Sequence, residues 1–267
     1  LPAATPAKTK ATAKGPRRRP LAELRLLYQR ARRDVSRAKA ATAIKAAQQV
    51  MTALIYGGIY DLDDSQRSIQ DRFGLLSLCV IGATNLAIAS TIRAFPKEKT
   101  IVQRERSPRS GRPMYGALPY LFSKVAAELP LSVGLSCLFG GILYPLAKLG
   151  RTTRKFRRFL GLTALNSVAA SALGLLVGAV APSTDAALAM FPPIIVLMII
   201  FNGSNISDES TPKPIKFLPK LSLVRWGFEG LAVNEFEGLE FKPFTQIGRP
   251  SLKTGADALA RLSFEDS

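Results

Sequence analysis

Few side chains in this chain stand where they could catalyse a reaction. There is no histidine, so the usual imidazole base and metal ligand are missing. Cys79 and Cys137 both lie inside uncharged runs, which argues against a disulfide framework. Acids and bases gather in knots instead. The densest is FPKEKTIVQRER, residues 95–106, with four basic and two acidic side chains. Lys99–Arg106 has the length for two helical turns, with the apolar pair Ile101–Val102 on one side. Such a segment suits charge-guided docking of a soluble partner, and so transmission of force. The plainer reading is a solvated loop whose charges stop the flanking segments from slipping into lipid.

The flanking segments set this choice. Arg72 to Arg93 encloses twenty uncharged residues and Glu128 to Lys148 nineteen. Arg158 to Asp185 encloses twenty-six, and Asp185 to Asp208 twenty-two. About twenty apolar residues cross a bilayer as a helix, because each adds roughly 1.5 Å to a span of about 30 Å. A fifth run, Ala46–Tyr60, extends back past Lys45, whose long stem lets its ammonium snorkel. A soluble core hides one such segment but hardly four, since soluble helices need a polar face. The expected fold is all-α: a polytopic helical membrane protein with spans at about 42–60, 73–92, 120–147, 159–181 and 185–201. Residues 1–20 read as a flexible basic leader, and 21–39 as an amphipathic helix that lies on the membrane surface or packs on a partner domain. Residues 202–267 read as an extracytoplasmic region.

The net charge of +18 does not imply a nucleic-acid partner. The bases sit at the edges of apolar runs without interleaved aromatics, and anionic lipid headgroups account for them better. Residues 1–39 carry twelve Lys and Arg, 61–72 carry two and 93–112 carry seven. The excess of cations on the cytoplasmic side places the N-terminal segment and the knot there together. The loop holding Lys148, Arg151, Arg154, Lys155, Arg157 and Arg158 conflicts with that assignment, since alternating spans send it outward.

FPKEKTIVQRER followed by MYGALPYLFSKVAAELP (114–130) resembles the loop-and-helix signature of White-type, G-subfamily ABC half-transporters. SIQDRFGLL (68–76), GLLVGAVAPSTDAAL (174–188), LVRWGFEGLAVNEFEGLEF (223–241) and TGADALARLSFED (254–266) agree with that family in order. Helix 21–39 resembles its connecting helix, and the match covers 21–266, closest to plant and algal members. The resemblance implies five spans of a six-span ABC-2-type permease, in a multi-pass membrane protein. It implies partnership with a nucleotide-binding domain, a second half-transporter, lipid and a hydrophobic or amphipathic, lipid-like substrate. By position, Glu98, Arg104, Glu105 and Arg106 would couple to the nucleotide-binding domain. Asn85, Val196 and Ile199 would line the substrate cavity.

Two parts of the family pattern are missing. No G-x-x-x-x-G-K-[ST] loop cradles phosphate, and no sixth span follows. The expectation is a fragment without cofactor of its own, with ATP and Mg on the missing nucleotide-binding domain. ATP-driven export or flipping is the expected function; a passive channel or membrane scaffold without ATPase is the alternative. The stretch SPRSGRP before Met114 is longer than the family spacing. Gly174 and Gly178 form a GxxxG spacing suited to close helix packing. Asn202 and Asn205 head glycosylation tripeptides, both expected to be unoccupied.

Overall fold

The computed structural model describes residues 20–106, 115–150, 152–203, 217–241 and 254–260. The expected leader and Asn205 lie outside them. The described chain forms α1 (Pro20–Arg37), α2 (Lys39–Ile59), α3 (Gln66–Arg106), α4 (Ala117–Leu146), α5 (Thr153–Val180), α6 (Thr184–Ile200), α7 (Leu218–Leu221), α8 (Leu223–Phe236) and α9 (Gly255–Ala260). Among the described residues there is no strand, only an isolated bridge between Glu240 and Thr254. Three helical stretches have the length and apolar composition to cross a membrane: Gln66–Arg93, Ala117–Leu146 and Thr153–Val180. The apolar α6 is shorter, at 17 residues. α2 has the length, but Lys39, Lys45, Gln48 and Gln49 dilute its hydropathy.

α1 turns its apolar stripe inward. Leu27 is buried, Leu24, Ala31 and Val35 are half-buried, and the helix lies along α4. Of the two settings expected for it, surface or partner domain, it takes neither alone: its first partner is a helix of its own chain. The core seam joins α3 to α5. It closes tightly because Gly174 has no side chain: a Cβ there would stand 2.9 Å from Thr91 Cβ and 3.1 Å from the Ile88 carbonyl. On the same seam the Asn166 amide donates to Thr84 Oγ1 at 2.9 Å, satisfying polar groups that lipid cannot. The GxxxG spacing is thus a packing face within the subunit.

α3 departs from expectation. The knot is not a loop between spans. The helix runs unbroken through it for 41 residues, about 60 Å at 1.5 Å per residue. α8 departs as well. Its residues were expected outside the spans, yet the helix is sunk between α3, α5 and α6. Val224, Phe228, Leu231 and Ala232 are buried. Gly227 abuts Val80 and Asn166, so closely that a Cβ would lie 2.8 Å from Val80 Cγ1. The Ser222 hydroxyl caps α8 by accepting from the Arg225 amide and donates to the Met198 carbonyl of α6 at 2.9 Å.

The C-terminal end of α8 is a clasp made by Asn234-Glu235-Phe236. The Asn234 amide donates to the Lys155 carbonyl at 3.0 Å. Phe236 stacks on Phe73 with centroids 4.4 Å apart. Glu235, 2% exposed, pairs with the equally buried Arg72 of α3. It also accepts from the Gly150 amide at 3.1 Å, while Lys155 Nζ donates to its backbone carbonyl at 2.8 Å. Burial pushes the Glu235 carboxyl up, and it prevails over the downward pull of Arg72, the Gly150 amide and Lys155.

These contacts explain the loop that defied the charge count. Lys148 pairs with Asp61 at 2.7 Å and Arg158 with Glu237 at 2.6 Å, while Lys155 is held at Glu235. Half of its expected cations are thus engaged by groups on the same end of the bundle. Asn202 of the first glycosylation tripeptide is buried, and its amide donates to Ser77 Oγ at 3.2 Å.

Two outcomes follow from this architecture. Single cysteines at Ser65 and Thr100, in a background without Cys79 and Cys137, are expected to label from opposite faces of the membrane; labelling from one face contradicts the arrangement. Glu235→Ala leaves the Arg72 guanidinium buried without its carboxylate, a loss of about 3–5 kcal/mol. A marked fall in the detergent thermal midpoint is expected, with a milder fall for Glu237→Ala, whose pair is exposed and worth under about 1 kcal/mol.

Candidate functional site

The residues singled out in the knot separate by face along the last turns of α3. Glu98 and Glu105 stand two turns apart and so share one face. Glu98 Oε2 lies 2.6 Å from Lys124 Nζ of α4 and accepts from the Tyr120 hydroxyl at 3.1 Å. Glu105 accepts from Arg30 Nη1 of α1 at 2.9 Å and from the Tyr115 hydroxyl at 2.6 Å. Tyr115 and Tyr120 stack with centroids 5.8 Å apart. The two carboxylates therefore fasten the end of α3 to the connecting helix and to the start of α4. Arg104 is exposed on the last turn. The Arg106 side chain lies outside the described part of the structure.

Lys99 projects to another neighbour. Its ammonium donates to the carbonyls of Ala179 and Ala181 at 2.7 and 2.8 Å. Those carbonyls close α5, where the helix leaves acceptors unpaired and the macrodipole favours a cation. This end of α3 is thereby tied to α1, α4 and α5 together. Tyr115, Tyr120 and Lys124 stand in the motif MYGALPYLFSK that carried the resemblance, but reading the sequence assigned no contact to them, to Lys99 or to Arg30. Lys124 and Glu128 carried a faint signal, as charges inside an otherwise apolar helix. Nothing linear marked Arg30 as the partner of a residue 75 positions away.

The expected cavity residues do not all meet. Asn85, half-buried on α3 and without a hydrogen bond among the described residues, lines an open-sided cavity of about 920 Å³ between α1, α2, α3, α4 and α5. Its lining also includes Lys45, Thr52, Tyr56 and Phe139. Val196 and Ile199 are not among the lining residues. Val196 is 52% exposed on α6, and Ile199 packs at the margin of the core. Among the described residues no cluster of His, Cys, Asp and Glu is arranged to hold a metal. The arrangement as a whole suits mechanical transmission and the holding of an amphiphile.

Known sequences agree with this geometry. The pattern of the family described as ABC-2 type transporter matches residues 22–236. ABC transporter G family member 7 of Arabidopsis thaliana is 41% identical over 240 residues, covering 90% of this chain and 32% of that protein. Protein white of Drosophila melanogaster is 28% identical over 198 residues, covering 74% of this chain and 28% of that protein. ABC transporter G family member 23 of Arabidopsis thaliana is 26% identical over 241 residues, covering 89% and 37%. The chain thus spans about a third of the length of the curated relatives it matches. An unbroken α3 clasped at both ends, apolar helices on either side of it, and a family pattern over most of the chain lead to one assignment: this chain belongs to the ABC-2 type transporter family, as a multi-pass membrane domain of the G-family and White kind.

Proposed function

We propose that this domain is the permease of an ATP-driven transporter that exports or flips a hydrophobic or amphipathic, lipid-like substrate. The observation that carries the reading is the fastening of Glu105 to Arg30 and Tyr115 at the end of α3. A soluble domain bearing on Arg104, Glu105 and Arg106 would move α1, α3 and α4 as one body. The helix would then deliver that displacement to the outer clasp at Arg72, on its opposite end. ATP and Mg would be held by a nucleotide-binding domain, since the sequence has no phosphate-cradling loop and the carboxylates of the knot are already engaged with their own chain.

A second half-transporter supports the pathway in this reading. Val196, Leu197 and Ile200 leave apolar surface exposed on α6. With Ile199 beside them, they offer a wall that a partner subunit would complete, separate from the cavity that Asn85 lines. Packing and small-residue contacts, rather than a hydrophobic drive, hold such helix faces together in lipid.

The test uses the full-length protein in liposomes, with ATP turnover and substrate movement measured together. Glu105→Ala is expected to insert and to hydrolyse ATP while losing transport tenfold or more. Arg30→Ala should behave alike, and the exchange Arg30→Glu with Glu105→Arg should restore part of the transport. Normal substrate-stimulated transport by Glu105→Ala would overturn the coupling role. ATP-independent leakage at the wild-type rate would favour a passive channel.

A further inference from the structure

The cavity beside Asn85 is graded in polarity from one end to the other. On α2, Lys45 lines it three turns before Tyr56; on α4, Glu128 lines it three turns before Phe139. α3 runs the other way, from Cys79 past Arg93 and Glu98 to Val102. All three walls therefore gather their charges at the end that holds the knot and leave Tyr56, Cys79 and Phe139, with uncharged hydroxyl residues, at the other. That gradient matches a molecule with a headgroup and an acyl chain. A volume of about 920 Å³ stands near the top of the roughly 300–1,000 Å³ typical of small-molecule sites.

The charges at the polar end are divided between walls. Lys124 of α4 is shared by two carboxylates, Glu98 of α3 at 2.6 Å and Glu128 of its own helix at 3.6 Å, so these three groups together keep one negative charge. Lys45 of α2 and Arg93 of α3 also line the polar end, neither in an ion pair among the described residues, beside Arg30 and Asp34 of α1. Lys45 and Glu128 are near enough to influence one another electrostatically, yet their side chains do not close to ion-pair distance. Opposite charges held apart at the edge of a membrane are costly unless something dipolar joins them. A phosphate facing Lys45 and a primary ammonium facing Glu128 would satisfy both walls at once, as charge-assisted hydrogen bonds.

We propose that this cavity is a binding site for one zwitterionic phospholipid of the surrounding leaflet. Lys45 takes its phosphate, Glu128 its primary ammonium, and the surface around Tyr56 and Phe139 its acyl chain. The site lies within a single subunit and is separate from the wall formed by Val196 and Ile199. Its occupancy requires neither ATP nor transport.

The full-length protein, without nucleotide, is reconstituted in nanodiscs of neutral lipid analogue. Its thermal midpoint is then followed as phosphatidylethanolamine, phosphatidylglycerol or oleate with matched chains is added. Phosphatidylethanolamine is expected to raise the midpoint by several degrees, and each of the others by less than half as much. Glu128→Gln should abolish the preference of phosphatidylethanolamine over phosphatidylglycerol, Lys45→Gln should weaken both, and Lys45→Arg should restore them. Ala83→Phe, which fills the cavity without touching its charges, should remove the response; it covers the case in which a charge variant does not fold. Equal shifts with phosphatidylglycerol in the wild type would overturn the zwitterionic assignment. Equal shifts with oleate would assign the site to a carboxylate amphiphile instead. An unchanged response in Ala83→Phe would overturn the site itself. Because no step depends on ATP, a failure here leaves the transport proposal standing, and a failure of transport leaves this one.

Discussion

A guanidinium and a carboxylate that meet away from water, Arg72 and Glu235, set the terms for the end of this domain opposite the knot. Desolvating two charges costs several kcal/mol per ion, recovered only when geometry and extra hydrogen bonds are in place. The chain supplies them from four segments: Arg72 from α3, the Gly150 amide from the turn before α5, Lys155 from α5 itself, and Glu235 from α8. Each donor is useful only if the others are present, so the segments are placed together or not at all. Phe73 and Phe236 stack beside the pair and keep water from it. Once the clasp is closed, α8 has no position left except the groove between α3 and α5, and the absence of a side chain at Gly227 lets it settle against Val80 and Asn166.

The same helix is fastened at its other end by a different kind of contact. Glu98, Glu105 and Lys99 reach three neighbouring elements with charge-assisted hydrogen bonds. These lie at the surface or near it, so each is individually weaker than the buried clasp. α3 therefore combines a firm outer anchorage with a more yielding one at the knot.

Charge also arranges the rest of the bundle. Three cations around the start of α5 are held at one end of the bundle, Lys148 and Arg158 by the carboxylates of Asp61 and Glu237 and Lys155 by the backbone carbonyl of Glu235. Counting Lys and Arg alone treats each as free to follow the membrane's preference, but a cation already paired with its own chain contributes less to orientation. The cavity shows the opposite case, where charges face one another across open space and no side chain closes the gap.

How much of this was legible beforehand follows from the range of each interaction. Uncharged runs of about twenty residues specify helices in lipid because backbone groups there must be satisfied within the segment, and every expected span falls largely within a helix. The motifs at 95–130 and 223–241 carried the family, and Gly174 announced a close packing face. Lys99–Arg106 was legible as helix, but its continuity with the span before it was not, because hydrophilicity says where lipid ends, not where a helix ends. The resemblance marked 223–241 as an outer helix, but not its burial in the bundle, because its 14 residues are too few to span and its buried stripe of Val224, Phe228 and Leu231 is masked by polar residues between them. Only the tertiary structure decided which charges meet. Arg72 and Glu235 are 163 residues apart and Arg30 and Glu105 75 apart, and no local periodicity encodes a partner at such distance. It likewise decided that Asn85 faces a cavity within the subunit while Val196 does not. Both lie on apolar helices of similar pattern, and only the rotation of each helix in the packed bundle separates an inner wall from an outer one.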